Sequence, residues 1–135
     1  MTAVVVDTSA AVAIINDEPG GEDLALLLEG AGERIMSAAG LVELGIVLEA
    51  RFGVPGAALA DRFVRDGEID VVPVDRRVAE AALAGWRRFG KGRHRAALNF
   101  GDCFTYGLAV DADAAVMCVG DDFAATDIEV IRPTG

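Results

Sequence analysis

The chain has 135 residues, 53% of them hydrophobic, with 22 acidic and 12 basic side chains and a net charge of −10. That length suits one domain spanning residues 1–135, and the apolar content excludes a disordered chain. The acidity excludes a protein that coats nucleic acid by bulk charge. It suits a basic partner, or a pocket where carboxylates gather around divalent cations.

No apolar run approaches the ~18 residues of a membrane span, and the start lacks the basic flank of a secretion signal. A soluble, cytoplasmic protein with no membrane partner is expected. Cys103 and Cys118 lie in apolar segments without metal-ligand spacing, so both are expected to be buried free thiols.

Val4-Val5-Val6 reads as a short strand buried on both faces, and it ends in Asp7. Thr8 and Ser9 are suited to cap the helix running through Ala10 to Ile15. In open α/β sheets ligands bind outside the carboxyl ends of the strands, which makes Asp7 a candidate for chemistry. The plain alternative is that Asp7 only caps the next helix. Residues 16–21 are a loop, 22–29 a helix and 34–36 a second strand.

Ser37 caps a helix over 38–51 that is apolar nearly all round, the mark of a buried helix. Glu43 stands in its middle, with Ala39, Gly40, Ile46 and Val47 as helical neighbours. A charge there is expensive unless it is paired or bound to a metal. Pro55 is suited to start the next helix, with Leu59, Phe63 and Val64 facing inward. Residues 69–74 form the third strand, and Pro73 assigns it to a sheet edge.

Asp75 caps a helix in which Trp86 lies on the apolar stripe. Five of the 12 basic residues then fall within 87–95: Arg87, Arg88, Lys91, Arg93 and Arg95. Such a run is ordinarily a solvated loop, but beside an acidic site it could hold a phosphate backbone. His94, the only histidine, is expected to be exposed and non-catalytic. Asn99 caps a further helix with Asp102 in its first turn, where the helix dipole favours a carboxylate. Residues 114–119 are a buried strand that runs into Asp121 and Asp122. Asp127 precedes a last strand over 128–131.

Alternating strands and helices argue for an α/β sandwich with a mostly parallel sheet. Asp7 and the Asp121/Asp122 pair then share one sheet edge, and Glu43 and Asp102 are the acids hardest to explain as surface. Carboxylates that converge repel one another and persist mainly by binding hard cations such as Mg²⁺ or Mn²⁺. One or two such ions activate water for in-line displacement at phosphorus. No Ser-His-Asp set, Cys-His set or glycine-rich phosphate loop competes.

The order DTSA at 7–10, Glu43 in SAAGLVELGIVLEA, LNFGDCFTYGLA at 98–109 and VGDDFAATDI at 119–128 resembles the PIN-domain ribonucleases. Among these it is most similar to the VapC toxins of toxin–antitoxin pairs. The resemblance covers essentially the whole chain. It implies a five-stranded parallel sheet in the order 3-2-1-4-5 flanked by helices. It carries the family's acids onto Asp7, Glu43 and Asp102, with the fourth at Asp122, Asp121 close behind and Asp127 a weaker addition.

Thr8 or Ser9 matches the family's small hydroxyl and would bond a metal-associated water or ligand. The resemblance further implies a Mg²⁺/Mn²⁺-dependent endoribonuclease with one or two ions. It implies a homodimer, and a cognate VapB-type antitoxin that wraps the toxin and inserts a basic side chain at the acidic pocket. The charge of −10 means that RNA must be drawn in locally, and the basic run at 87–95 is the expected substrate path.

The alternative is a catalytically inactive PIN-like module that binds RNA or protein. An aspartyl phosphatase of the haloacid-dehalogenase type would need a second Asp two residues after Asp7, and position 9 is Ser.

Overall fold

The computed structural model describes residues 3–134. Strand β1 (Val4–Val6) is central. Its parallel neighbours are β2 (Arg34–Ser37) on one side and β4 (Ala115–Met117) on the other. Beyond β2 lies β3 (Asp70–Val72), and beyond β4 lies β5 (Val130–Ile131). The result is a five-stranded parallel sheet in the order 3-2-1-4-5, as the resemblance implied.

The two-residue period of a strand divides the core. Val4 and Val6 point to the face covered by α1 (Thr8–Ile15), α2 (Gly21–Glu29), α3 (Ala38–Phe52) and α4 (Pro55–Asp66), where Leu24, Leu44 and Leu48 are fully buried. Val5 points to the other face and packs with α5 (Arg76–Phe89) and α6 (Phe100–Ala112). With apolar contacts on both faces, β1 carries nothing but valine until the chain reaches Asp7. Cys103 and Cys118 are buried and free, as expected.

Several elements differ from the sequence reading. α3 is not buried all round: Val42 and Ile46 are 63% and 64% exposed, and the core is met by Gly40, Leu44 and Leu48. Trp86 stands 40% exposed rather than in the core. β3 lies at the sheet edge as predicted, but it stops at Val72, so Pro73 follows the strand instead of sitting within it. α5 extends through Phe89, so the first three residues of the basic run are helical and only the remainder is loop. Neither Thr8 nor Ser9 caps α1; Asp7 does.

The packing of α5 against α6 depends on a missing side chain. A Cβ at Gly85 of α5 would stand 2.4 Å from the Tyr106 ring of α6. Gly85→Ala therefore costs about 1–3 kcal/mol, the range for overpacking a close-fitted core. A lower midpoint in urea denaturation would register this, and an unchanged midpoint would contradict the packing.

Candidate active site

Asp7 sits where β1 ends and α1 begins. Its backbone N–H continues the sheet by donating to the Met117 carbonyl at 3.0 Å. Its side chain caps α1 and does more besides. Oδ2 accepts from the Ser9 N–H at 3.0 Å and from the Ser9 hydroxyl at 2.6 Å, and Oδ1 accepts from the Thr105 hydroxyl of α6 at 2.9 Å. The residue is 5% exposed. A buried carboxylate is thus satisfied entirely by neutral donors at the positive end of a helix.

Asp102 is the third residue of α6 and closes a capping box. Its N–H donates to Asn99 Oδ1 at 2.8 Å, and its Oδ2 accepts from the Asn99 N–H at 3.0 Å. Burial pushes the Asp102 carboxyl up to about 6. The hydrogen bond from Asn99 opposes that rise, and the negative charges of Asp7, Asp122 and Glu43 add to it.

Glu43, half-buried on α3, leans against α6 at another glycine. A Cβ at Gly101 would stand 2.7 Å from Glu43 Oε2. Asp122 is exposed at the start of a single 3-10 turn, Phe123–Ala125, close enough for its charge to act on both Asp102 and Cys118. The four acids expected to converge are therefore brought to one end of the sheet.

The other predicted residues have separate employment. Asp121 is turned outward, its side chain 93% exposed and paired with Arg132 at 2.6 Å. Asp127 accepts from the Tyr106 hydroxyl at 2.8 Å and from Arg88 at 3.0 Å, so it ties α5 and α6 to the approach to β5. The Thr8 hydroxyl donates to the Gly40 carbonyl at 3.2 Å and tethers α1 to α3. The Ser9 hydroxyl is spent on Asp7 and also accepts from the Val119 N–H at 3.0 Å. Both hydroxyls hold the scaffold together instead of facing a ligand.

In the basic run, Arg88 is committed to Asp127, and Arg93 lies over the Trp86 ring at 4.7 Å while donating to the Arg87 carbonyl at 3.1 Å. Lys91 and Arg95 are exposed and have no ion pair among the described residues. His94 is half-buried rather than exposed; its Nδ1 accepts from the Ala96 N–H at 3.0 Å, and its ring stands edge-on to Phe89.

The donor set fits a hard cation. It consists of carboxylate oxygens, and none of Asp7, Glu43, Asp102 and Asp122 has a Lys or Arg within ion-pair distance among the described residues. Gly101 keeps open the space beside Glu43 that any other residue would fill. Among the described residues no three His, Cys, Asp or Glu side chains already close on a single point. An ion such as Mg²⁺ keeps several waters and takes only one or two carboxylates directly, so it would draw on part of this set.

Sequence reasoning passed over Thr105 and Gly101. The spacing that reveals Thr105 was present: three residues after Asp102 on a helix, it shares that residue's face.

The PIN domain family model matches residues 4–129. The ribonuclease VapC30 of Mycobacterium tuberculosis is 44% identical over 128 residues, covering 95% of this chain and 98% of that protein. A ribonuclease VapC of Mycolicibacterium smegmatis is 45% identical over 133 residues, covering 96% and 100%. Among solved structures, the sarcin-ricin loop cleaving toxin VapC20 of M. tuberculosis superposes with a TM-score of 0.78 at 20% identity over 96% of this chain and 99% of that one. VapBC2 of Rickettsia felis, solved bound to a promoter DNA fragment, gives 0.76 at 12% identity over 96% and 98%. The chain belongs to the PIN-domain family and, within it, to the VapC ribonucleases.

The raised Asp102 carboxyl has a consequence for stability. Its folded-state value of about 6 lies above the ordinary 3.8, so between these the folded chain binds more protons than the unfolded one. Stability from this group is lost as pH rises through that window and stays lost above it. Without divalent cations, Asp102→Asn should therefore be more stable than the parent at pH 7.5, by on the order of 1 kcal/mol after allowance for solvent screening. The difference should vanish near pH 4. Thermal melts at the two pH values in EDTA measure it, and a gain that does not depend on pH would contradict this origin.

Proposed function

We propose that this chain is a metal-assisted endoribonuclease toxin that hydrolyses RNA phosphodiester bonds and is restrained by a cognate VapB-type antitoxin. The observation that carries the reading is Asp7, buried at the end of β1 and held by neutral donors alone, with no ion pair to it or to Glu43, Asp102 or Asp122 among the described residues. Names borne by relatives at 44–45% identity support it.

Asp7 and Asp102 are the buried and half-buried anchors of the site; Glu43 and Asp122 flank them. One or two Mg²⁺ or Mn²⁺ ions, when bound, supply Lewis acidity toward water and positive charge toward the scissile phosphate. The four carboxylates would hold those ions and leave the rim for the RNA. Lys91 and Arg95, unpaired among the described residues, are suited to its phosphates, whereas Arg88 and Arg93 are already engaged. An inactive binding module would keep four repelling acids to no purpose.

The partner surfaces fit the same reading. The acidic pocket suits a basic side chain from an antitoxin, and solved relatives include toxin–antitoxin complexes. Two apolar grooves of about 530 and 550 Å³ flank the Phe100–Phe104 pair. One is lined by Val42 and Ile46, the other by Leu83 and Trp86. Phe100 is 80% exposed. A second copy of the chain would cover this face. The whole chain then acts as one PIN domain in the cytoplasm.

The test is cleavage of a mixed RNA pool with Mg²⁺, with Mn²⁺ and with EDTA. Products should require metal and disappear with Asp7→Asn. Gly101→Ala should remain folded, because only the mobile end of Glu43 must move, yet lose about tenfold or more in rate from that displacement. Cleavage by a natively folded Asp7→Asn chain would overturn the reading.

A second experiment addresses the RNA path. Lys91→Ala combined with Arg95→Ala should weaken RNA binding and flatten its dependence on log salt by up to about 2 charges' worth. An unchanged slope would remove the basic loop from the path.

A further inference from the structure

We infer that Thr105 is a positioning residue of the nuclease site: its hydroxyl aims the Asp7 carboxylate and couples β1, which carries Asp7, to α6, which carries Asp102. The inference rests on the metal-assisted nuclease reading and deepens it.

The bond is unusual for a helical threonine. Inside a helix a threonine hydroxyl ordinarily turns back to a carbonyl three or four residues earlier on its own helix. Asp102 and Gly101 stand at those places. Thr105 instead reaches a residue 98 positions away in the chain, at 2.9 Å, and does so while 3% exposed. An ionised carboxylate only accepts, so the direction is fixed: Thr105 donates to Asp7 Oδ1.

The rest of the Asp7 environment makes this bond decisive. The two donors to Oδ2 both come from Ser9, on the helix that Asp7 itself caps, and they move with it. Thr105 is the donor to Oδ1 among the described residues and the link to a different element. It therefore sets the rotation of the carboxylate about its own stem. It also pins Asp7 to the helix turn that begins with Asp102, whose charge repels it.

A neutral donor suits this place better than a cation would. Lys or Arg at position 105 would orient Asp7 but cancel the charge that a divalent ion needs. A hydroxyl orients it and leaves the charge intact. Partners of this kind behind metal-binding side chains are typically worth 10–100-fold in metal affinity or activity.

The experiment compares the parent with Thr105→Val, which keeps the shape and loses the donor, and with Thr105→Ser, which keeps the donor and loses a methyl group. Two quantities are read: the Mn²⁺ concentration giving half of the maximal rise in melting temperature, and the initial rate of RNA cleavage across RNA concentrations. The valine chain should need about 10–100-fold more Mn²⁺ and should lose at least about tenfold in kcat with KM for RNA little changed. The serine chain should stay within about threefold of the parent in both.

Should the valine chain fail to fold, Thr105→Ala removes the same donor with the same expectation. A valine or alanine chain with the parent's Mn²⁺ midpoint and kcat overturns the inference while leaving the nuclease reading in place. A serine chain as impaired as the valine chain also overturns it, because the methyl packing would then be what matters. A parent that neither cleaves RNA nor responds to Mn²⁺ removes the nuclease reading and this inference with it.

Discussion

A buried carboxylate held without a positive charge is the constraint on which this molecule turns. Asp7 ends the central strand, where sheet order and valine packing leave no freedom in its backbone. Its oxygens are met by Ser9 and Thr105 alone among the described residues. Every donor is neutral, so the charge is stabilised locally but not cancelled. Lys or Arg in their place would have made a stable ion pair and an inert site.

Around that fixed charge the fold gathers three more. α6 contributes Asp102 through a capping box that locks its carboxylate to the helix start. α3 contributes Glu43, whose carboxylate rests in the space that the missing side chain at position 101 leaves open. The chain after β4 contributes Asp122. The repulsion is visible in Asp102, pushed up to about 6 by burial and by its acidic neighbours. A carboxyl raised in this way lowers stability at neutral pH, and shifts of this kind cluster at functional sites. Some acids elsewhere are ion-paired, as Asp121 is with Arg132 and Asp127 with Arg88.

The scaffold was legible in the sequence because its signals were strong and local. A valine run ending in Asp, a capping serine and a capping asparagine each have few physical explanations, and together they located β1, α3 and α6. The different surroundings of Asp121 and Asp122 were hidden in the sequence, because Arg132 meets Asp121 only in three dimensions. The reading of α3 as wholly buried failed because apolar composition does not say what covers a face. Val42 and Ile46 face outward in the single chain. For Thr8 and Ser9 the sequence offered a ligand-facing hydroxyl; in the fold these hydroxyls bond to Gly40 and Asp7. The spacing put Thr105 on the Asp102 face of α6, but its bond to Asp7, 98 positions away, appears only once β1 and α6 are packed together.

The central claim is that Asp7, Glu43, Asp102 and Asp122 form a divalent-cation site. The most direct measurement is anomalous X-ray scattering from crystals of the chain soaked in Mn²⁺. The account predicts a manganese peak at the end of β1, bounded by Asp7 and Asp102 and absent in Asp102→Asn crystals. Crystals that take up Mn²⁺ only elsewhere on the acidic surface, with that position empty, would contradict it.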